Sequence, residues 1–128
     1  MKEPEKIKSF TDLNGWKQAH KLVLLVYELA KKFPKDEQFR LTNQICRAVV
    51  SISSNIAEGF SRNSAKEKHQ FYSMSLGSLT EVQNQLLIAK DLKYISPNEF
   101  KNAAELTVIV SKLIHGLMKS VLDKIHNT

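Results

Sequence analysis

Residues 41–59 read LTNQICRAVVSISSNIAEG, and their spacing decides the fold. Leu41, Ile45, Ala48, Val49, Ile52 and Ile56 recur at steps of three and four, the interval at which side chains share one face of an α-helix. A polar stripe runs beside them through Gln44, Arg47, Ser51, Asn55 and Glu58, also at helical steps. A half-buried strand would alternate with period two, and this stretch does not. The helix should begin between Asp36 and Leu41 and end near Gly59, where glycine can take the left-handed conformation that closes a helix.

Downstream, two further helix starts are legible. Ser64-Ala65-Lys66-Glu67 has the pattern of a capping box, in which serine accepts from the third amide while glutamate reaches back. The helix it opens should turn Phe71, Met74, Ser78, Val82, Leu86 and Ala89 inward and fade near Lys93. Ser96-Pro97-Asn98-Glu99 repeats the pattern, with proline at the first helical position, where its missing N–H costs nothing. Ala103, Leu106, Val110, Leu113, Leu117, Val121 and Leu122 should carry the core face of this last helix, which runs to about Ile125.

Upstream, a first helix should run from about Leu13 to Lys32, with Thr11 or Asp12 as N-cap. Pro34 stops it, because the residue before a proline avoids the α region. Residues 1–10 read as a flexible arm that Phe10 pins at its end. Short connections make sequential helices antiparallel. The expectation is an all-α, antiparallel up-down four-helix bundle forming a single domain over residues 1–128.

Composition agrees. Of 128 residues, 42% are hydrophobic and only 4 are glycine and 3 proline, which favours a few long helices over a many-turned β fold. One cysteine, Cys46, excludes an internal disulfide and fits a reducing cytoplasm. The first nine residues lack the apolar centre of a signal peptide. The longest apolar run, Leu22 to Tyr27, is far short of the ~20 residues a membrane span needs. A cytoplasmic protein without membrane contact is expected.

The first helix has more apolar surface than one core-facing stripe can use. Leu22, Val23, Leu24, Leu25 and Val26 point nearly all round its axis, and Val108 and Ile109 add a milder excess on the fourth helix. Such surplus marks an interface. Homo-oligomerisation is the expected outcome, against cover by the arm or a loop.

Little in the chain resembles catalytic or metal chemistry. His20, His69, His115 and His126 form no HExxH pair, and none has a glutamate three positions earlier, as a dimetal bundle requires. His20 lies on the apolar stripe of the first helix and reads as a hydrogen-bonded structural histidine. Cys46 beside Arg47 reads as an inert packing residue rather than an activated thiol. There is no glycine-rich phosphate loop. No catalytic residue, metal or cofactor is expected.

Two features carry functional weight. The stripe Gln44, Arg47, Ser51, Asn55, Glu58, closed by Gly59, faces a shorter line of Ser78, Glu81 and Gln85 beside Gly77. It could contact a ligand or RNA. The favoured reading is a polar network between helices or subunits, with Arg47 paired to Glu81 or to Glu58 of a neighbour and Gly77 and Ser78 permitting close approach. The second feature is charge, a formal +6 from 19 Lys+Arg against 13 Asp+Glu. Lys17, Lys21, Lys31, Lys32, Lys35 and Arg40 gather around the first helix and its following turn; Arg62, Lys66 and Lys68 gather at the turn after the second. Each group could hold nucleic-acid phosphates without reading sequence, or could simply be a solvated surface. In a ring of subunits every such patch is multiplied.

The stretch from Gln44 to Gly59 resembles the signature of the four-helix-bundle proteins encoded in intervening sequences of bacterial 23S ribosomal RNA genes. Trp16-Lys17-Gln18-Ala19, Phe33-Pro34-Lys35, Gly77-Ser78-Leu79-Thr80-Glu81 and Leu92-Lys93-Tyr94-Ile95 match in order, covering nearly the whole chain. Cys46 stands where the family often has an arginine, and Ser53 where proline is frequent; the first change removes a cation from any nucleic-acid contact here. The resemblance implies an antiparallel four-helix bundle and a homopentameric ring. It extends to the accessory variability determinant proteins of diversity-generating retroelements, basic pentamers that bind nucleic acid and a reverse transcriptase. It therefore implies a non-enzymatic binding protein for structured RNA or DNA, or else a scaffold or accessory subunit for a protein such as a reverse transcriptase.

Overall fold

A computed structural model describes residues 6–126. Four helices follow in order: α1 Asn14–Ala30, α2 Leu41–Ser61, α3 Ala65–Asp91 and α4 Pro97–His126. Single 3-10 turns at Phe10–Asp12 and Lys35–Glu37 precede α1 and α2, and no strand occurs among the described residues. The packed pairs are α1 with α2, α2 with α3, α3 with α4, and α4 with α1, so the chain runs around an antiparallel up-down bundle. One pole holds the start of α1, the α2–α3 turn and the end of α4. The other holds the α1–α2 and α3–α4 connections. No described helix is long and apolar enough to cross a membrane.

The core is a continuous column in which Leu22, Ile45, Ile52, Ile56, Leu79, Leu86 and Ile114 are fully buried. Each such side chain contributes about 1.5–3 kcal/mol relative to exposure. All six apolar residues expected on the α2 stripe are buried.

The faces of α3 and α4 differ from expectation by one residue over part of their length. On α3 the buried set is Tyr72, Ser75, Leu79, Val82, Gln85, Leu86 and Ala89, while Phe71 and Ser78 are half-buried and Met74 is exposed. Steps alternating strictly between three and four hold the stripe against its partners, as in a heptad seam; two consecutive steps of four rotate it away. The strict alternation places Ser75 in the core. Its hydroxyl donates to the Ile52 carbonyl at 2.7 Å, which removes most of the cost of burying it. On α4 the expected stripe already alternates by three and four as far as Leu117, yet the buried face is shifted by one residue at two positions: Thr107 and Ile114 are buried, Leu106, Leu113 and Leu117 are half-buried, and Leu122 is exposed. Thr107 donates to the Ala104 carbonyl at 2.6 Å and accepts from Gln83 at 3.2 Å.

The helix ends follow hydrogen-bond supply. The Ser96 box on α4 is complete: the Glu99 amide donates to the Ser96 hydroxyl at 3.0 Å, and the Ser96 amide donates to the Glu99 carboxylate at 2.9 Å. On α3 the Ser64 half is present, accepting from the Glu67 amide at 3.1 Å. At the N-terminus the cap lies earlier than Thr11 or Asp12. Ser9 accepts from the Thr11 amide at 3.0 Å, and Asp12 accepts from the Lys8 and Ser9 amides at 2.9 and 3.1 Å, so the cap belongs to the 3-10 turn. The expected arm falls partly on residues 1–5, outside the described residues; Phe10 packs edge-on to Trp16 at 5.3 Å.

Gly59 does not close α2. The helix continues to Ser61, and no described glycine has positive φ. Glycine is needed at this position for space, since Tyr72 of α3 packs directly on its backbone. Lys68 caps the end of α2 by donating to the Phe60 carbonyl at 2.6 Å, where the carbonyls lack helical partners. The left-handed closure occurs instead at Lys93, φ 65°, after α3. The Tyr94 amide reaches the Ala89 carbonyl and the Lys93 amide the Lys90 carbonyl, both at 2.9 Å, which is a Schellman motif.

Candidate functional site

The polar stripe of α2 meets α3 at two hydroxyls. Ser78 donates to Ser51 across the helix pair at 2.9 Å, and the Asn55 amide donates to the Ser51 carbonyl and hydroxyl at 2.8 and 3.0 Å. This forms a small polar network between helices. Gly77 is exposed, with nothing within 4 Å of where a Cβ would stand, so the close approach is made by Ser78 without it.

Toward the start of α2 the seam opens into a groove of about 350 Å³. Asn43, Gln44, Arg47 and Ala48 line one wall, Glu81 and Gln85 the other, and Ser51 and Ser78 close one end. Arg47 and Glu81 are exposed, and neither forms an ion pair among the described residues, so the expected Arg47–Glu81 pair within the chain is not made. Glu58 is engaged elsewhere, with Arg62 at 3.1 Å. Gln85 is 8% exposed, and its Oε1 is buried without a hydrogen-bond partner. Asn43 joins the site four residues before Arg47, a helical step that could have marked it in the sequence.

A second groove of about 450 Å³ lies on the other side of α2, against α1. Tyr27, Cys46 and Val50 line it, with Asn43, Arg47 and Ser51 forming the ridge between the two grooves. Burial pushes the Cys46 thiol up from its ordinary value, the opposite of the activation a neighbouring cation would give. His20 is exposed and stacks on Trp16 at 4.9 Å; it is not the hydrogen-bonded core histidine that the apolar stripe suggested. Among the described residues no three His, Cys, Asp or Glu side chains gather to hold a metal ion.

The basic residues are regrouped by the fold. Lys17 lies on the first turn of α1 and Lys21 one turn further on, while Lys31, Lys32, Lys35 and Arg40 lie toward the opposite pole, about 21 Å or more from Lys17 and about 15 Å or more from Lys21 along the helix. Lys31 pairs with Glu28 at 2.9 Å, and Lys32 pairs with Glu99. Arg62 stacks over Phe71 at 4.4 Å as well as pairing with Glu58. Lys17, Lys21, Lys35, Arg40 and Lys66 make no ion pair among the described residues.

At the α2–α3 pole, Lys17, Arg62, Lys66 and Lys68 are joined by Lys119 and Lys124 from the last turns of α4. The sequence groups missed these two because they lie more than fifty residues from the α2–α3 turn; the antiparallel order of the helices was the available signal. Lys68 is held below its ordinary pKa, first by burial and then by the charge of Lys124. Of the acids at this pole, Glu67 and Asp123 form no ion pair among the described residues, and the other two are occupied. Glu58 holds Arg62, and Asp12 is held below its usual range by the amides of Lys8 and Ser9.

Apolar side chains are exposed on two sides of the bundle. Leu24, Tyr27 and Val50 lie on α1 and α2, while Leu87 and Val108 flank a smaller groove between α3 and α4. In the cyclic order of the helices these faces are opposite one another.

Comparison with known proteins places this geometry in a family. Residues 11–116 match the model of the 23S rRNA-intervening sequence protein family. No match was found among curated proteins. A crystal structure of a protein of unknown function from the S23 ribosomal protein family of Bacteroides thetaiotaomicron superposes with a TM-score of 0.76. It is 19% identical, covering 82% of this chain and 98% of its own, so it supports the fold alone. With the family pattern matched from the turn before α1 into the second half of α4, the chain belongs to the 23S rRNA-intervening sequence protein family.

Proposed function

We propose that this protein is a non-enzymatic, self-associating, cytoplasmic module that binds structured RNA through the α2–α3 pole. The carrying observation is the crowding of cations there. Burial first, and then the charge of Lys124 across from α4, lowers the pKa of Lys68. Cations in excess over the neighbouring carboxylates Asp12, Glu58, Glu67 and Asp123 attract a polyanion, and phosphate contacts of this kind supply affinity without sequence readout.

Self-association rests on the two opposite apolar faces. A contact between different faces of successive copies propagates head to tail and gives a ring when the rotation closes. A pentamer is the arrangement the family resemblance favours. In a ring the cationic poles recur on every subunit, and individually weak contacts become avid.

Binding of a structured RNA and of a DNA duplex across a salt series tests the RNA reading. Affinity should fall steeply and linearly on a log–log plot, by orders of magnitude between about 50 and 200 mM salt. No binding at low salt, or affinity flat against salt, would defeat it. A second reading, a scaffold docking a protein such as a reverse transcriptase, draws on the same exposed apolar faces. Partners that survive nuclease treatment in a pull-down with the full chain would favour it.

A further inference from the structure

The groove between α2 and α3 contains polar chemistry that neither the core nor the cationic pole uses. Gln85 is more than nine-tenths buried, and its Oε1 accepts from nothing among the described residues. Such an atom is costly to desolvate unless a donor reaches it. Glu81 lies one turn earlier on the same helix and exposes its carboxylate to the groove, while the Gln85 Oε1 beside it is closed off from solvent and becomes a second acceptor when rotation of its terminal amide turns it toward the groove. The facing wall presents donors: the Arg47 guanidinium, which has no carboxylate partner among the described residues, and the side-chain amides of Asn43 and Gln44. A volume of about 350 Å³ is within the range of small-ligand sites and is more than a single charged head group fills.

We propose that this groove binds a guanine base, with Glu81 and Gln85 accepting from its donor edge and Arg47 donating to its acceptor edge. Guanine alone among the four RNA bases carries two adjacent donor groups, N1–H and N2–H, on one edge, beside the acceptors O6 and N7. Adenine and cytosine offer one exocyclic amine next to a ring acceptor, and uracil offers one N–H flanked by carbonyls. Arginine on O6 and N7 is a common guanine contact, and unpaired RNA bases are read on these same edges. The base can come from an unpaired residue of RNA or from a free guanine mononucleotide. Only the RNA source rests on the function proposed above.

The test uses the full chain and two probe sets. Calorimetry with GMP, AMP, CMP and UMP reports the free base. Binding of uridine decamers with a single central G, A, C or U reports the base in RNA. The proposal expects a preference for guanine of about ten-fold or more in at least one set. Glu81→Gln should remove the preference while leaving the salt slope for RNA unchanged. Gln85→Leu should reduce the preference without lowering the melting temperature, because it removes an unpaired buried atom. GMP bound alone points to a free nucleotide, and a preference seen only in the decamers points to RNA. Salt-dependent RNA binding with no guanine preference in either set overturns the groove assignment and leaves the pole intact. A guanine preference in the mononucleotides without any RNA binding supports the groove and defeats the pole.

Discussion

A Cβ placed on Gly59 would stand 2.7 Å from Cε1 of Tyr72, closer than real side-chain carbons approach. Tyr72 is 3% exposed and sits at the start of the α3 seam, so its ring has little room to retreat. Gly59→Ala should gain about 1 kcal/mol of helix propensity and lose about 1–3 kcal/mol to overpacking. The net expectation is a lower melting temperature, read by thermal denaturation. An unchanged or higher value would mean that the α2–α3 turn relaxes freely.

Lys93 closes α3 in the left-handed region at φ 65°, a position that favours glycine. Lys93→Gly should raise stability by roughly 1 kcal/mol, since the Schellman hydrogen bonds from Tyr94 and Lys93 need no side chain. Chemical denaturation would detect this as a shifted midpoint with an unchanged slope.

Gln85→Leu exchanges a buried amide with an unpaired oxygen for an apolar side chain of similar size. Leaving a buried polar group unsatisfied costs about 1–3 kcal/mol, so the variant should be at least as stable as the parent. A marked loss of stability would show that the amide is a structural member of the bundle.

Acid should weaken the fold at its caps. Asp12 lies below its ordinary 3.8 because the Lys8 amide and then the Ser9 amide donate to it. Glu99 lies below its ordinary 4.5, first because of the Lys32 ammonium and then because of the Ser96 amide. In both cases the folded chain holds the proton less tightly than the unfolded chain. The stabilisation is therefore complete above the ordinary values and is lost as pH falls through the lower, folded ones. Melting temperatures measured from neutral pH into this acid range should decline. Glu99→Gln should lower the neutral value and flatten the decline, whereas parallel curves for variant and parent would contradict this.

Much of the fold was legible because caps and apolar periodicity are local. Ser64, Ser96 and the Ile stripe of α2 specify elements without tertiary information. The faces of α3 and α4 were harder to read because their seams pass through Ser75, Gln85 and Thr107, polar residues that the core accepts through hydrogen bonds or tolerates unpaired. Gly59 reads locally as a helix terminator, and its packing role exists only once Tyr72 arrives from the next helix. The site was legible in part. Gln44, Arg47, Ser51, Ser78 and Glu81 meet at one groove, but Asn55 is spent on Ser51 and Glu58 on Arg62. The cationic pole was not visible along the chain, because α4 supplies Lys119 and Lys124 from the far end of the sequence.

The most direct test of the proposed function is charge reversal at that pole. Lys66→Glu combined with Lys124→Glu should weaken RNA binding strongly and reduce the salt slope by about two units, near the 0.9 per phosphate contact expected for a polyanion. Lys35→Glu, at the opposite pole, should change neither. Equal losses from both sets of variants, or an affinity and slope that ignore Lys66 and Lys124, would contradict the assignment of RNA binding to the α2–α3 pole.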